Sequence, residues 1–352
     1  MKSLEKINNK KKINTRKILI CIALVGLALI CIFFLGVGAL RCSGKKSLYK
    51  EQNNNKMKFT SKYIEVVNDK EYDVVYEGEK YKYNERILTF LVLGIDKNEK
   101  VSPAKNGVSG GQSDGIFLVV MNPDTKKIDI IMVHRDTVAK LQIYNKEGQF
   151  EKEAEAQICL QHAYGDGMEL SNNRTKDAVS KLFCELPIHS VTSVNMGAVG
   201  EINDAIGGVT LESLESFEVD GFEYKEGENV TLTGMSAYYY TKYRNINEHC
   251  TAEKRLLRQK QYLSKATEQL MKTLKKDVGI FVDIYNTVDD YVVTDLSVDE
   301  MTYIATEAVS YSFGEIYSPS GSIDTSGYYE KFYVDIDEIE AMIIRLFYEK
   351  VN

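Results

Sequence analysis

An uninterrupted apolar run fills the chain from Ile18 to Leu40 (ILICIALVGLALICIFFLGVGAL), without one charged residue. As a helix rising 1.5 Å per residue it would reach about 34 Å, enough to cross the roughly 30 Å hydrocarbon core of a bilayer. A cleaved leader has a shorter apolar region, about 7–15 residues, followed by a small-x-small site. Leu40-Arg41-Cys42 offers no such site and no lipoprotein box. A single transmembrane helix over 18–40 is therefore expected. Residues 41–62 are polar, rich in Lys, Asn and Gln, and read as a linker. From Tyr63 to Tyr83 apolar and charged residues alternate, which predicts accessory strands over 63–85.

Beyond Arg86 the pattern is that of a layered domain. Ile87 to Ile95 is nearly all apolar, as in a strand buried on both faces. Ile116–Met121 and Ile128–Val133 are two more strands, joined through Asn122-Pro123-Asp124-Thr125, a turn-forming tetrapeptide. Helical periodicity follows at 173–185 and 196–206, the second stopped by Gly207-Gly208. Strands recur at 191–195 and 209–219. Ala252 to Lys276 lacks Gly and Pro and is amphipathic, a long helix with Thr251 as its N-cap. A strand near Tyr291-Val292-Val293 and helices at 297–309 and 335–348 complete the chain. The fold class predicted is α/β: a mixed sheet layered with helices, over 86–352, preceded by the membrane helix.

Charge sharpens the topology. Met1 to Lys17 holds seven basic groups against Glu5, a tail of +6, leaving −13 for the rest of a chain whose net charge is −7. By the positive-inside rule residues 1–17 stay in the cytoplasm and everything after the anchor lies outside the cell. An acidic bulk argues against general nucleic-acid binding, and seventeen residues are too few for a cytoplasmic DNA-binding domain. Cys159, Cys184 and Cys250 form no metal-type spacing and read as buried or free thiols. His134, His162, His189 and His249 likewise have no ligand spacing, and no P-loop, dinucleotide or Gly-x-Ser-x-Gly motif is present.

Two charged clusters could carry chemistry. Asp96 follows the first strand, Asp114 precedes the second, and Arg135 and Asp136 follow the third. If the second and third strands form a hairpin, Asp114 and Arg135 meet at one sheet edge; the bland alternative is a set of solvated loop charges. Lys242 and Arg244 alternate, as on an extended segment, and Arg255, Arg258 and Gln259 share a helical face with few acidic partners. A solvated helix surface explains such a run, but guanidinium groups without counter-charges also suit phosphate or pyrophosphate.

In order along the chain, FLVLGID (90–96), SDGIFLVVMNP (113–123), IMVHRDT (131–137), HAYGDG (162–167), INDAIGGV (202–209), LTGMSAYYYTKYR (232–244) and RLLRQ (255–259) resemble the LytR-CpsA-Psr family of cell-wall glycopolymer phosphotransferases. The resemblance implies an ectodomain that holds a polyprenyl-pyrophosphate-linked glycan in an elongated apolar pocket. It would transfer the glycan phosphate, with Mg²⁺ (or Mn²⁺), to peptidoglycan and release polyprenyl phosphate. It assigns the metal to Asp96 and Asp114 and phosphate binding to Arg135, Lys242, Arg244, Arg255, Arg258 and Gln259. Asp136 would orient Arg135 or the incoming hydroxyl. Lys242, Gln161 and Ala252 depart from the family's usual Arg, Asn and acidic residue. A lipid-pyrophosphate-binding regulator or scaffold, or a pyrophosphatase using water as acceptor, are the alternative readings.

Overall fold

The computed structural model describes residues 35–50, 57–67, 69–245, 251–277, 279–327 and 329–351, and the side chains of 251–253 and 281 are not among what it describes. The expected cytoplasmic tail and most of the expected anchor lie outside the described residues. Among those described, no helix is long and apolar enough to cross a membrane. Residues 35–50 are helical, so the helix runs past Leu40 into the stretch read as linker. Its Lys, Leu and Tyr residues tolerate a helix, and only Gly44 opposes it. The chain divides into two units, one of 1–47 with 297–304 and one of 48–296 with 305–352. In the first, Gly44 passes so near Ser297–Ile304 that a Cβ would lie 2.0 Å from the Asp299 carbonyl oxygen.

The second unit is built on a six-stranded mixed sheet. In spatial order its strands are Val292–Thr294, Ser190–Asn195, Leu88–Ile95, Ser113–Asn122, Lys127–Met132 and Ser312–Tyr317. The predicted hairpin is present: Ser113–Asn122 pairs antiparallel with Lys127–Met132. Its turn closes because the Asn122 side-chain oxygen accepts from the Asp124 and Thr125 backbone N–H groups at 2.9 and 3.2 Å. Leu88–Ile95 runs antiparallel to Ser113–Asn122 and parallel to Ser190–Asn195. The apolar run that predicted the central strand is buried as expected, with Leu91 and Leu93 at 0% exposure.

One face of this sheet is sealed by Val179 and Phe183, at the end of helix Glu169–Leu182, and by Ile339, Ile343 and Phe347 of helix Ile336–Phe347. Each such side chain contributes about 1.5–3 kcal/mol when fully buried. Asp335 caps the last helix by accepting from the Asp337 and Glu338 amides. One turn further, the buried Glu340 accepts from Thr60 N, Thr60 Oγ1 and Ser61 N at 2.6, 2.9 and 2.8 Å, which pins residues 60–61 to the C-terminal helix.

A second core forms where Val209, Leu211, Leu232 and Tyr240 meet Tyr262, Ala266 and Leu270 of the long helix Thr251–Leu274. The single strand expected over 209–219 is two, Val209–Glu212 and Phe217–Val219, in separate two-stranded sheets. Ser213-Leu214-Glu215-Ser216 turns the chain between them. Lys242 is also corrected: it ends a helix, Met235–Lys242, rather than alternating with Arg244 on an extended segment. The Ala-Tyr-Tyr-Tyr run buries Ala237, Tyr238 and Tyr240 there at helical spacing.

His189 links the central strand to acid stability. Its Nδ1 accepts from the Thr89 backbone N–H at 3.0 Å, while its buried Nε2 has no hydrogen-bond partner among the described residues. Burial pushes the imidazole down to about 4, so the fold favours the neutral ring. Its contribution is complete above the unfolded value near 6.5 and is lost as pH falls from there toward 4. Melting temperatures should fall more between pH 7 and pH 4.5 in this protein than in a His189→Gln variant; equal falls would remove His189 as a cause.

Candidate active site

A β-bulge places the first acid. Gly94 pairs with Gly115 but Ile95 pairs with Ser113, so Asp114 is the extra residue and its side chain is re-aimed at the strand end. Ser113 beside it is fully buried. The adjoining strand delivers Arg135, whose Nη1 pairs with Asp114. Its Nη2 donates to Gln112 Oε1 at 2.7 Å and to Cys159 Sγ at 3.4 Å, and its Nε lies 3.4 Å from Asp136 Oδ1. Asp136 is buried and accepts from Gln157 Nε2 at 2.8 Å. It therefore supports Arg135, one of the two roles the sequence leaves open for it. Asp96 stands across from Gln112: its amide donates to Gln112 O at 3.0 Å and its Oδ1 accepts from Gln112 N at 2.7 Å.

Burial raises the Asp114 carboxyl above its ordinary value, opposed by Arg135, with Asp96 adding to the rise and Arg255 opposing it. Asp96, Asp114, Arg135 and Arg255 thus share one electrostatic neighbourhood. Arg255 and Gln259, one helical turn apart, line a cleft together with Asp114, Arg135, His134, Leu256 and the strand residues Ile116 and Met132. Burial, then repulsion from Arg135, pulls the Arg255 guanidinium below its ordinary value, with Arg244 adding to it. Arg244 itself pairs with Glu330 at 3.0 Å.

Two of the expected phosphate ligands are placed otherwise. Arg258 does not line this cleft. It is 1% exposed, pairs with Glu215, and donates to the Tyr240 carbonyl at 2.8 Å and to the Tyr243 carbonyl, with its guanidinium 5.0 Å from the Phe217 ring centre. Residues three apart on a helix diverge by about 60°, and that rotation carries Arg258 into the second core while Gln259 stays beside Arg255. Lys242 is exposed and bonds the Tyr238 hydroxyl. Among the described residues, the cleft that Arg135 and Arg255 line holds about 10 Å³, room for one water. Gln161 makes a two-way bond with the Gln142 backbone, at 3.0 Å each way, so this departure serves the fold. The Ala252 side chain lies outside those described.

Sequence reasoning missed Gln112, Cys159, Gln157 and Glu330. None carries a charge pattern or motif of its own, and Glu330 lies 195 positions from Arg135 in the chain. Cys159 is a free thiol pushed up to about 12 by burial, which favours the protonated form.

A sequence model described as the LytR_cpsA_psr family matches residues 41–340. The chain belongs to this family. Among its members, the Enterococcus faecalis polyisoprenyl-teichoic acid–peptidoglycan teichoic acid transferase TagU is 26% identical over 251 residues, which cover 70% of this chain and 75% of that one. The Bacillus subtilis TagU is 26% identical over 214 residues, 61% of each chain. The fold agrees with crystal structures: B. subtilis TagV has a TM-score of 0.58 at 17% identity, covering 74% of this chain and 97% of that one. A TagT bound to LI-WTA gives 0.53 at 18% identity, with 74% and 89% covered.

Arg258 should behave as a structural residue. Arg258→Met removes the buried partner of Glu215, which keeps only the longer contact to Lys254 at 3.8 Å, and should lower stability by about 3–5 kcal/mol, read from urea unfolding. A loss below about 1 kcal/mol would return Arg258 to the phosphate site.

Proposed function

We propose that this protein transfers a glycopolymer phosphate from a polyprenyl-pyrophosphate carrier to peptidoglycan outside the cell, releasing polyprenyl phosphate. One observation carries the reading most. Arg255 is a half-buried guanidinium that makes no hydrogen bond or ion pair among the described residues, and it faces Arg135 in the same cleft. At this guanidinium the nearby Asp114 offsets only part of the repulsion from Arg135, and a diphosphate would supply oxygens for both forks. The transferase activity of the TagU relatives supports this choice of donor and acceptor.

The acceptor hydroxyl oxygen would attack the glycan-side phosphorus, its proton passing to water, as the bond to the bridging oxygen breaks. Polyprenyl phosphate leaves with the electron pair as a stable anion, which calls for cations rather than a proton donor. Arg135, fixed by Asp114 and Asp136, and Arg255 would hold the phosphates, with Gln259 beside them and Arg244 at the margin. Among the described residues no group of three or more acidic, His or Cys side chains could hold a metal alone. Mg²⁺ does not need one, since it binds one or two carboxylates plus substrate phosphates and water. Asp96 and Asp114 fit that share, and the ion would add positive charge at the diphosphate.

The full chain in detergent, given a synthetic polyprenyl-pyrophosphate glycan, peptidoglycan oligomers and Mg²⁺, should form a coupled product. Asp114→Ala or Arg135→Ala should lower the rate by on the order of 10²–10³-fold, the scale for losing one charge-stabilising group. Product from wild type that both variants match would remove the site. Release of free glycan phosphate without coupling would favour the hydrolase.

An anchor over 18–40 with its basic tail inside would put the catalytic domain outside. A reporter fused after Asn352 should be accessible on intact cells; a reporter protected in the cytoplasm would overturn the localisation and the acceptor with it.

A further inference from the structure

We propose that Gln112 is a positioning residue that fixes Arg135 and Asp96 relative to one another; this rests on the transfer reading above. Its main chain and side chain address different partners. The backbone exchanges two bonds with Asp96, at 3.0 and 2.7 Å, and the side-chain Oε1 accepts from Arg135 Nη2 at 2.7 Å. Among the described residues no direct hydrogen bond joins Asp96 to Arg135, so Gln112 is the bridge between the carboxylate and the guanidinium.

The bridge is stiff at its base. Gly111 has a φ of +90°, and a Cβ there would lie 2.7 Å from Ile95 Cγ2, so the chain approaches the central strand as only glycine can. The Gly111 carbonyl oxygen lies 3.0 Å from the ring Nδ1 of His162, a residue only 1% exposed. The other ring nitrogen lies 3.2 Å from Asn172 Oδ1, and Asn172 Nδ2 donates to the Val293 carbonyl at 3.1 Å. Gln112 is thus tied through a buried relay to the far strand of the sheet.

A planar guanidinium needs more than one contact to fix its plane. Asp114 holds Nη1 and Asp136 approaches Nε, but rotation that lifts Nη2 is opposed by Gln112 and the weaker Cys159 sulfur. Bidentate recognition of phosphate depends on that plane, and misplacement by about 1 Å can cost on the order of 10²-fold in rate.

Gln112→Met keeps the length and both backbone bonds and removes the acceptor; Gln112→Asn keeps the amide and shortens the reach. Each should lower kcat by on the order of ten- to a hundred-fold, the worth of a hydrogen bond to a charged group. The Mg²⁺ concentration for half-maximal rate should stay unchanged, because the bonds to Asp96 are retained. In an Arg135→Ala background the same substitutions should cost less than about two-fold, since the effect runs through Arg135. Equal losses in both backgrounds, or full kcat in both variants, would overturn the proposal. A crystal structure of Gln112→Met should show the Arg135 fork rotated; an unmoved fork overturns it too. If wild type transfers nothing, the functional reading fails, and the position of Arg135 in that variant still decides the role of Gln112.

Discussion

A guanidinium clamped between two carboxylates at the end of a hairpin organises this molecule's chemistry. Asp114 lies at the start of one strand of the hairpin and Arg135 follows the end of the other, so their contact exists only because the hairpin is in register and the bulge re-aims Asp114. Neither group is fully solvated, and a half-buried ion pair stabilises a structure only when its remaining donors and acceptors are also met. Gln112, Asp136 and the Cys159 sulfur meet the rest of Arg135. Its charge is therefore held in place by groups of the fold alone.

Arg255 presents the opposite case. It comes from a helix whose inner face is committed to another core, through Tyr262, Ala266 and Leu270. That commitment fixes which residues of the first turns reach the cleft. Arg255 and Gln259 do, and Arg258 is carried inward to Glu215. The same helix thus supplies one cation to the candidate site and one to the fold, with no difference in residue type to distinguish them.

This explains what the sequence could reveal. The central strands were legible because near-continuous apolar runs have one explanation in a layered domain, and the Asn-Pro-Asp-Thr turn set their pairing. The meeting of Asp114 with Arg135 followed from that hairpin. Arg258 was misread because a charge pattern on a helix reports which side chains are near one another, not which of them faces a core built from residues 209–240. Lys242 was misread because its two-residue spacing from Arg244 suits an extended segment, whereas Lys242 ends a helix that buries Ala237 and Tyr240. The two-residue spacing of Gln112 and Asp114 was visible, but an uncharged amide gives no signal until its partners are placed. Glu330 reaches Arg244 only through the C-terminal segment, a contact no local pattern encodes.

Glu340 has a mechanical consequence. Its carboxylate takes the Thr60 and Ser61 amides, and Lys58 N donates to the Cys184 carbonyl at 2.9 Å. Tension drawn along the chain that precedes Met57 is thereby delivered to the C-terminal helix and the end of helix Glu169–Leu182. Both elements are rooted in an apolar core through Phe347, Ile343 and Phe183, and Ile95, Ile116 and Val133 tie the strand ends of the candidate site into the same core.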